Sequence, residues 1–155
     1  MATATPLPNI PAALHRGEDD LPFMDDGNGL LTQVLQVDVE AGLWVVRTRM
    51  APGLTLPRHK HTGEVFAVTF SGSWRYLEYP EVNRAGSYLF EPAGSIHTLT
   101  ALEDGADIWF AIRGANLNLD DAGNVESVLD AGLVRDGYLA WCEAQGLGRP
   151  DVIGI

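Results

Sequence analysis

Three of the four histidines in this chain stand in two short segments framed by glycine and proline. His59 and His61 are separated by one residue, with Gly53 six positions before the pair and Gly72 closing the segment. The second segment runs from Gly86 through five residues to Pro92-Ala93-Gly94 and, two residues on, to His97. Side chains two apart on a strand leave the same face. Such a pair, joined by a third imidazole from a neighbouring strand, forms a facial three-nitrogen metal site with open positions. Imidazole suits iron, zinc, copper and nickel alike, so these residues leave the metal open. Three neutral ligands leave the charge of a divalent ion uncompensated, which favours an anionic chelating ligand such as an enolate or a deprotonated α-hydroxyketone. The plain alternative for each histidine is a hydrogen-bonded residue with no metal.

The rest of the chain must place these residues on strands. After an irregular arm at 1–28, rich in proline, acid and glycine, the pattern turns to short β-rich runs. These lie at residues 31–39, 43–50, 65–70, 74–79, 87–90, 97–101 and 107–112, and turn signals at Pro52-Gly53, Ser71-Gly72, Ala93-Gly94 and Asp104-Gly105 separate them. Many short strands at such spacing predict a sandwich or barrel. A turn at 120–124 precedes apolar residues at helical spacing over 128–145, with Gly146 as the helix stop. The predicted organisation is an arm at 1–28, an all-β barrel at 29–118, and a C-terminal turn and helix at 119–155 packing on the barrel. Inside that barrel Phe66, Val68, Phe70, Trp74 and Trp109 give an apolar lining suited to an aromatic substrate, or simply a packed core.

The two histidine segments, Gly-x5-His-x-His and Gly-x5-Pro-x-Gly-x2-His, resemble the paired motifs of the cupin superfamily. The resemblance implies a single-domain β-barrel of the double-stranded β-helix, or jelly-roll, type. Within it, the runs at 57–63, 71–80 and 86–97 resemble the 2,4'-dihydroxyacetophenone dioxygenase family, and more distantly the acetylacetone-cleaving cupin dioxygenase. The first likeness implies Fe(II) on His59, His61 and His97, with zinc or nickel as other metals that a purified sample could carry. It also implies oxygen-dependent cleavage of an aryl α-hydroxyketone between the carbonyl and hydroxymethyl carbons, to 4-hydroxybenzoate and formate for 2,4'-dihydroxyacetophenone. A homodimer or higher oligomer follows from the same likeness.

Two positions depart from the general cupin pattern. A glutamate ligand usually follows the second histidine by three or four residues, where this chain offers Val65 and Phe66, with Glu64 close but out of register. The asparagine that usually follows the last histidine is replaced by Ala101. Glu91, six before His97, matches a functional glutamate of the acetylacetone-cleaving family; it is either an acid–base group beside the metal or a turn carboxylate. Thr100 lines the cavity by the same resemblance, or lies on an exposed strand. Tyr76 and Glu78 are candidates for substrate contact, an outward or interface role being the alternative, and Phe66 joins them as a lining residue. Other readings of the chain are a β-diketone-cleaving dioxygenase and a non-catalytic zinc-binding sensor module.

Composition narrows the partners. Hydrophobic residues at 46% with 20% charged fit a folded domain. A formal net charge of −11 excludes nucleic acid and an anionic membrane surface as partners, since both demand a basic face. The partners that the dioxygenase likeness implies are a small-molecule substrate and molecular oxygen. The single cysteine, Cys142, cannot form an internal disulfide, and with Trp141 beside it in the predicted helix it reads as a packed thiol. His15 in the arm reads as a surface or interface residue. No apolar run spans a bilayer and no signal-peptide pattern opens the chain, so the cytoplasm is the expected location.

Overall fold

Along residues 65–70 burial alternates strictly: Val65, Ala67 and Thr69 are buried, while Phe66, Val68 and Phe70 point away from the core. The same period-two pattern recurs on neighbouring strands and fixes which face of each builds the interior. The structure is a computed structural model describing residues 10–155. Its strands in chain order are β1 (Met24–Asp25), β2 (Leu30–Asp38), β3 (Leu43–Met50), β4 (His59–His61), β5 (Val65–Tyr76) and β6 (Asn83–Arg84). They continue with β7 (Tyr88–Glu91), β8 (Ile96–His97), β9 (Leu99–Arg113), β10 (Asn116–Leu119) and β11 (Val125–Leu129), and one helix, α1 (Ala131–Ala144), follows. Seven strands form one antiparallel sheet in the order β1-β2-β3-β9-β5-β6, with β7 also paired to β5. The second sheet runs β11-β10-β4-β8. The three histidines of the two segments therefore lie in the smaller sheet, on β4 and β8, and the inner face of the larger one supplies Trp44, Val46, Ile108, Phe110 and Ile112 to the core. This is the predicted jelly roll, a single domain that is mostly strand.

Two predicted turns are instead bulges inside long strands. Gly72 and Gly105 interrupt the pattern in sequence, yet β5 and β9 run straight past them, with register shifts between Thr69 and Ser71 and between Gly72 and Trp74. Gly72 has φ 75°, and a Cβ there would lie 2.1 Å from the Gly105 carbonyl oxygen. Glycine permits the backbones to approach, so the chain bulges where a turn is expected. The strand β11 is a second difference. Residues 125–129 pair with β10 across the Asp120–Asn124 turn, which carries the second sheet past the predicted barrel boundary. The helix accordingly begins at Ala131, not at 128, capped by the Asp130 side chain, which accepts from Leu133 N–H at 2.9 Å. Cys142 and Tyr138 are fully buried on its inner face, as a packed thiol requires.

The arm is secured from outside the barrel. Residues 1–9 lie outside the described part of the chain; of the rest, Met24 pairs with Thr32, and the Tyr138 hydroxyl donates to the Pro22 carbonyl at 2.5 Å. On the outer face of β3 and β9, Arg47 grips Asp107 through two hydrogen bonds of 2.8 Å, and Arg49 adds a third at 3.1 Å. Glu18 of the arm joins them through Arg49 at 2.5 Å and Arg47 at 3.4 Å. His15 is exposed. Among the described residues no helix is long and apolar enough to cross a membrane.

Asp107 connects this clasp to stability. Burial pushes its carboxyl up, but the Arg47 and Arg49 guanidinium groups outweigh that and hold it below the usual aspartate range. A depressed carboxyl contributes stability above its unfolded value, about 3.9, and loses it as pH falls through the folded value. Asp107→Asn is expected to cost about 1–3 kcal/mol at pH 7. In urea titrations the gap from the wild type should narrow as pH falls below the unfolded value and close once Asp107 is protonated in the folded state as well.

Candidate metal centre

The sequence His-Lys-His on β4 sends Lys60 to solvent and both imidazoles inward, with His59 and His61 buried. His97 arrives from β8, where it is the direct cross-strand partner of His59. The three rings stand with centroids 4.8, 4.9 and 5.0 Å apart. His59 Nε2 lies 3.1 Å from His61 Nε2. His59 Nδ1–H donates to the Pro57 carbonyl at 2.8 Å, which fixes the tautomer and leaves Nε2 as a free lone pair. Burial pushes the His59 pKa down to about 4, against the Pro57 hydrogen bond, with the neighbouring His61 and His97 adding to the effect. A neutral imidazole at neutral pH is the form a metal needs.

Glu91 stands inside this cluster rather than behind it. Its Oε2 is 2.8 Å from His61 Nε2 and 3.3 Å from His97 Nε2, while Oε1 accepts from the Tyr76 hydroxyl. Burial pushes the carboxyl up, but the contacts with His61 and His97 outweigh it and bring the pKa to about 2, so the group is ionised. The register shows where this carboxylate comes from. Val65, one of the two positions where the general cupin pattern offers a glutamate, is the cross-strand partner of Glu91 on β7. A neighbouring strand thus brings a carboxylate to the place that the first motif leaves apolar. Glu64 is half-exposed and 3.7 Å from Arg113, so it is no ligand.

The donor set fits a metal ion. His59, His61 and His97 each offer a nitrogen, and these atoms lie within 4.8 Å of one another. Glu91 Oε2 and His97 Nε2 are buried without an aligned hydrogen-bond partner, although they are 3.3 Å apart. Two metal bonds of about 2.1 Å at right angles separate their donors by about 3 Å, which is the spacing seen here. Four donor atoms thus crowd together, with neighbouring pairs 2.8, 3.1 and 3.3 Å apart.

A cavity of about 320 Å³ opens from the cluster. Met50, Leu56, Leu99, Phe110 and Ile112 are among its apolar walls, and Met24 of β1 and Leu133 and Val134 of α1 close it. Of the four residues predicted to contact substrate, Tyr76 alone lines it. Its ring stacks on His97 at 3.8 Å, so its first duty is to hold His97 and Glu91. Phe66 is a correction: it points outward and packs on Phe90 at 5.5 Å, because Val65 and Ala67 hold the inner parity. Val68, Phe70 and Trp109 lie on that outer face with it, whereas Trp74 is fully buried. Thr100 is also outside, its hydroxyl 2.8 Å from that of Thr55, and Leu99 takes the lining place. Glu78 accepts from the Thr98 N–H and hydroxyl, both at 2.8 Å, on the surface. Asn116, from β10, lines the cavity beside His61 and carries no signal in the sequence.

Buried imidazoles at one end of a jelly-roll cavity define a cupin. The chain belongs to the ChrR cupin-like domain family, whose model matches residues 14–115. Two solved structures from Ralstonia eutropha are similar over nearly the whole chain. A cupin-like protein of unknown function is 33% identical, covers 96% of each chain and has a TM-score of 0.86. An RmlC-like cupin is 30% identical, covers 88% of this chain and 91% of its own, and has a TM-score of 0.83. An acetylacetone dioxygenase from Acinetobacter johnsonii, 17% identical, covers 90% of this chain and 99% of its own with a TM-score of 0.73, a likeness of fold. No curated protein matches the chain.

If Glu91 holds the metal with the imidazoles, Glu91→Gln should weaken binding of Zn²⁺ or Fe²⁺ by about 10–100-fold in competition with a chromogenic chelator. Glu64→Gln, remote from the cluster, should leave it unchanged.

Proposed function

We propose that the protein is a mononuclear non-haem Fe(II) dioxygenase that cleaves the carbon–carbon bond of an aryl α-hydroxyketone such as 2,4'-dihydroxyacetophenone. The observation that carries this reading is the junction of a buried His59–His61–His97–Glu91 cluster with an apolar chamber of small-molecule size. His59, His61 and His97 would hold the iron, with the Glu91 carboxylate beside it. When bound, that iron supplies the Lewis acidity and one-electron chemistry that oxygen cleavage requires.

The protein's own part is proton handling and exclusion of water. Glu91 is ionised, and Oε2 is the oxygen not taken by the Tyr76 hydroxyl. It accepts the proton of the carbon between carbonyl and hydroxyl: the C–H bond breaks and its electron pair moves onto the carbonyl oxygen. A carboxylate held this far down is a weak base, so the proton must be acidic, as one beside a carbonyl is. The aryl group then lies among Met50, Leu56, Phe110 and their neighbours. Thr32 and Thr48, cross-strand partners in the opposite sheet, line the same cavity and offer hydroxyls to a ring substituent. Ketone plus dioxygen gives one carboxylic acid and formic acid, so both oxygen atoms enter product.

A specific feature favours a second reading. Structural zinc is commonly held by four protein donors, and His59, His61, His97 and Glu91 would supply four. That supports a zinc-binding module, and the family takes its description from ChrR. The chamber beside the cluster has no use in such a module. Oxygen uptake separates the two. Apoprotein reconstituted anaerobically with Fe(II) is expected to consume oxygen and release formate with 2,4'-dihydroxyacetophenone, whereas zinc-loaded protein and His97→Ala do neither. Stoichiometric metal binding with no uptake would remove this substrate and send the test to β-diketones.

The outer face of β5 and β7 supports the expected homo-oligomer. Tyr88 and Phe90 are 65% and 49% exposed there, too much aromatic surface in one place for a solvated sheet face. Phe90→Asp should convert the assembly to monomer in sedimentation equilibrium while leaving metal content intact.

A further inference from the structure

Asn116 is a polar cavity residue whose chemistry the reading above does not use. It opens β10 and is the direct cross-strand partner of His61, so both side chains project from the same face, about 5 Å apart at Cβ. It lines the cavity, and its Oδ1 is buried with no hydrogen-bond partner. A buried acceptor left unpaired is costly, and in a native protein it signals a partner that arrives from outside. The His61 ring does not serve: its Nδ1 is itself unpartnered. What Asn116 lacks is a donor presented within the cavity beside the imidazoles.

We infer that Asn116 is a specificity residue whose carboxamide oxygen accepts a hydrogen bond from the hydroxyl of a bound α-hydroxyketone. This rests on the α-hydroxyketone reading of the site and deepens it. The hydroxyl stays protonated when Glu91 takes the carbon-bound proton, so it remains a donor throughout. A β-diketone bound as its enolate has no hydroxyl to give and leaves Asn116 unpaired. Asn116 thus favours α-hydroxyketones over diketones, a choice that neither the three histidines nor the apolar walls can make. Sites built to pair with a substrate hydroxyl reject analogues that lack it, because their own polar group is then left bare.

Binding measured without oxygen isolates this choice from turnover. Zinc-loaded protein is titrated with 2-hydroxyacetophenone and with its methyl ether, which keeps the chelating oxygen but has no donor. The wild type is expected to bind the hydroxyketone about tenfold tighter or more. Asn116→Leu, of similar volume, should erase that preference at unchanged metal content. Asn116→Asp, which keeps an acceptor, should retain it, as a purely structural asparagine would not. An unchanged preference in Asn116→Leu overturns the inference. So does an equal loss for both ligands together with weaker metal binding, which would make Asn116 a support for His61. If metal-loaded wild type binds neither ligand, the α-hydroxyketone reading itself falls, and the inference with it.

Discussion

An ionised carboxylate buried among three imidazoles is the interaction around which this molecule is organised. Removing a charge from water costs several kcal/mol even after relaxation, and the Glu91 carboxyl is almost wholly shielded. What offsets the cost is the ring of groups placed around it: Tyr76 on one oxygen, His61 and His97 near the other. Those groups come from four strands, β4, β5, β7 and β8, so their registers must all be right at once. A one-residue slip in any of them would turn its contribution to the outer face. The pairings Val65 with Glu91 and His59 with His97 are therefore conditions of the site as well as of the sheets.

The chamber around this charge depends on parts far away in sequence. Met24 from the arm and Leu133 from α1 meet across the barrel mouth, and the Tyr138 bond to the Pro22 carbonyl ties the two together. Outside, Glu18 reaches Arg47 and Arg49, which already share Asp107. The arm is thus anchored by charge on the outer face so that its apolar end can close the inner one. Tyr76 has a comparable double duty: stacked on His97 and bonded to Glu91, it stiffens the polar end of a cavity that is otherwise apolar.

Much of this was legible in the chain and some was not, for identifiable reasons. The two framed histidine segments were sufficient to bring His59, His61 and His97 together, because strand alternation and a pair of glycine-rich turns leave few other geometries. Glu91 was legible as a functional carboxylate but not as a member of the cluster. Parity within β7 cannot say how close a neighbouring strand brings it. Phe66 and Thr100 fell on the outer face because the inner parity of β5 and β9 belongs to Val65, Ala67 and Leu99. A bulge changes such parity, and Gly72 and Gly105 look like turns until their backbones are seen to approach. Val128 and Leu129 fit a helix by spacing, but pairing with β10 claimed them first.

The sequence by itself determined the class of fold, the three imidazoles and the acidic character of the chain, because these follow from local spacing and residue type. Only the tertiary structure decided which carboxylate enters the cluster, what closes the chamber, and that Asn116 stands beside His61 with an unpaired oxygen. Those outcomes depend on cross-strand register and on packing between segments far apart in the chain, and neither is written in any short stretch of residues.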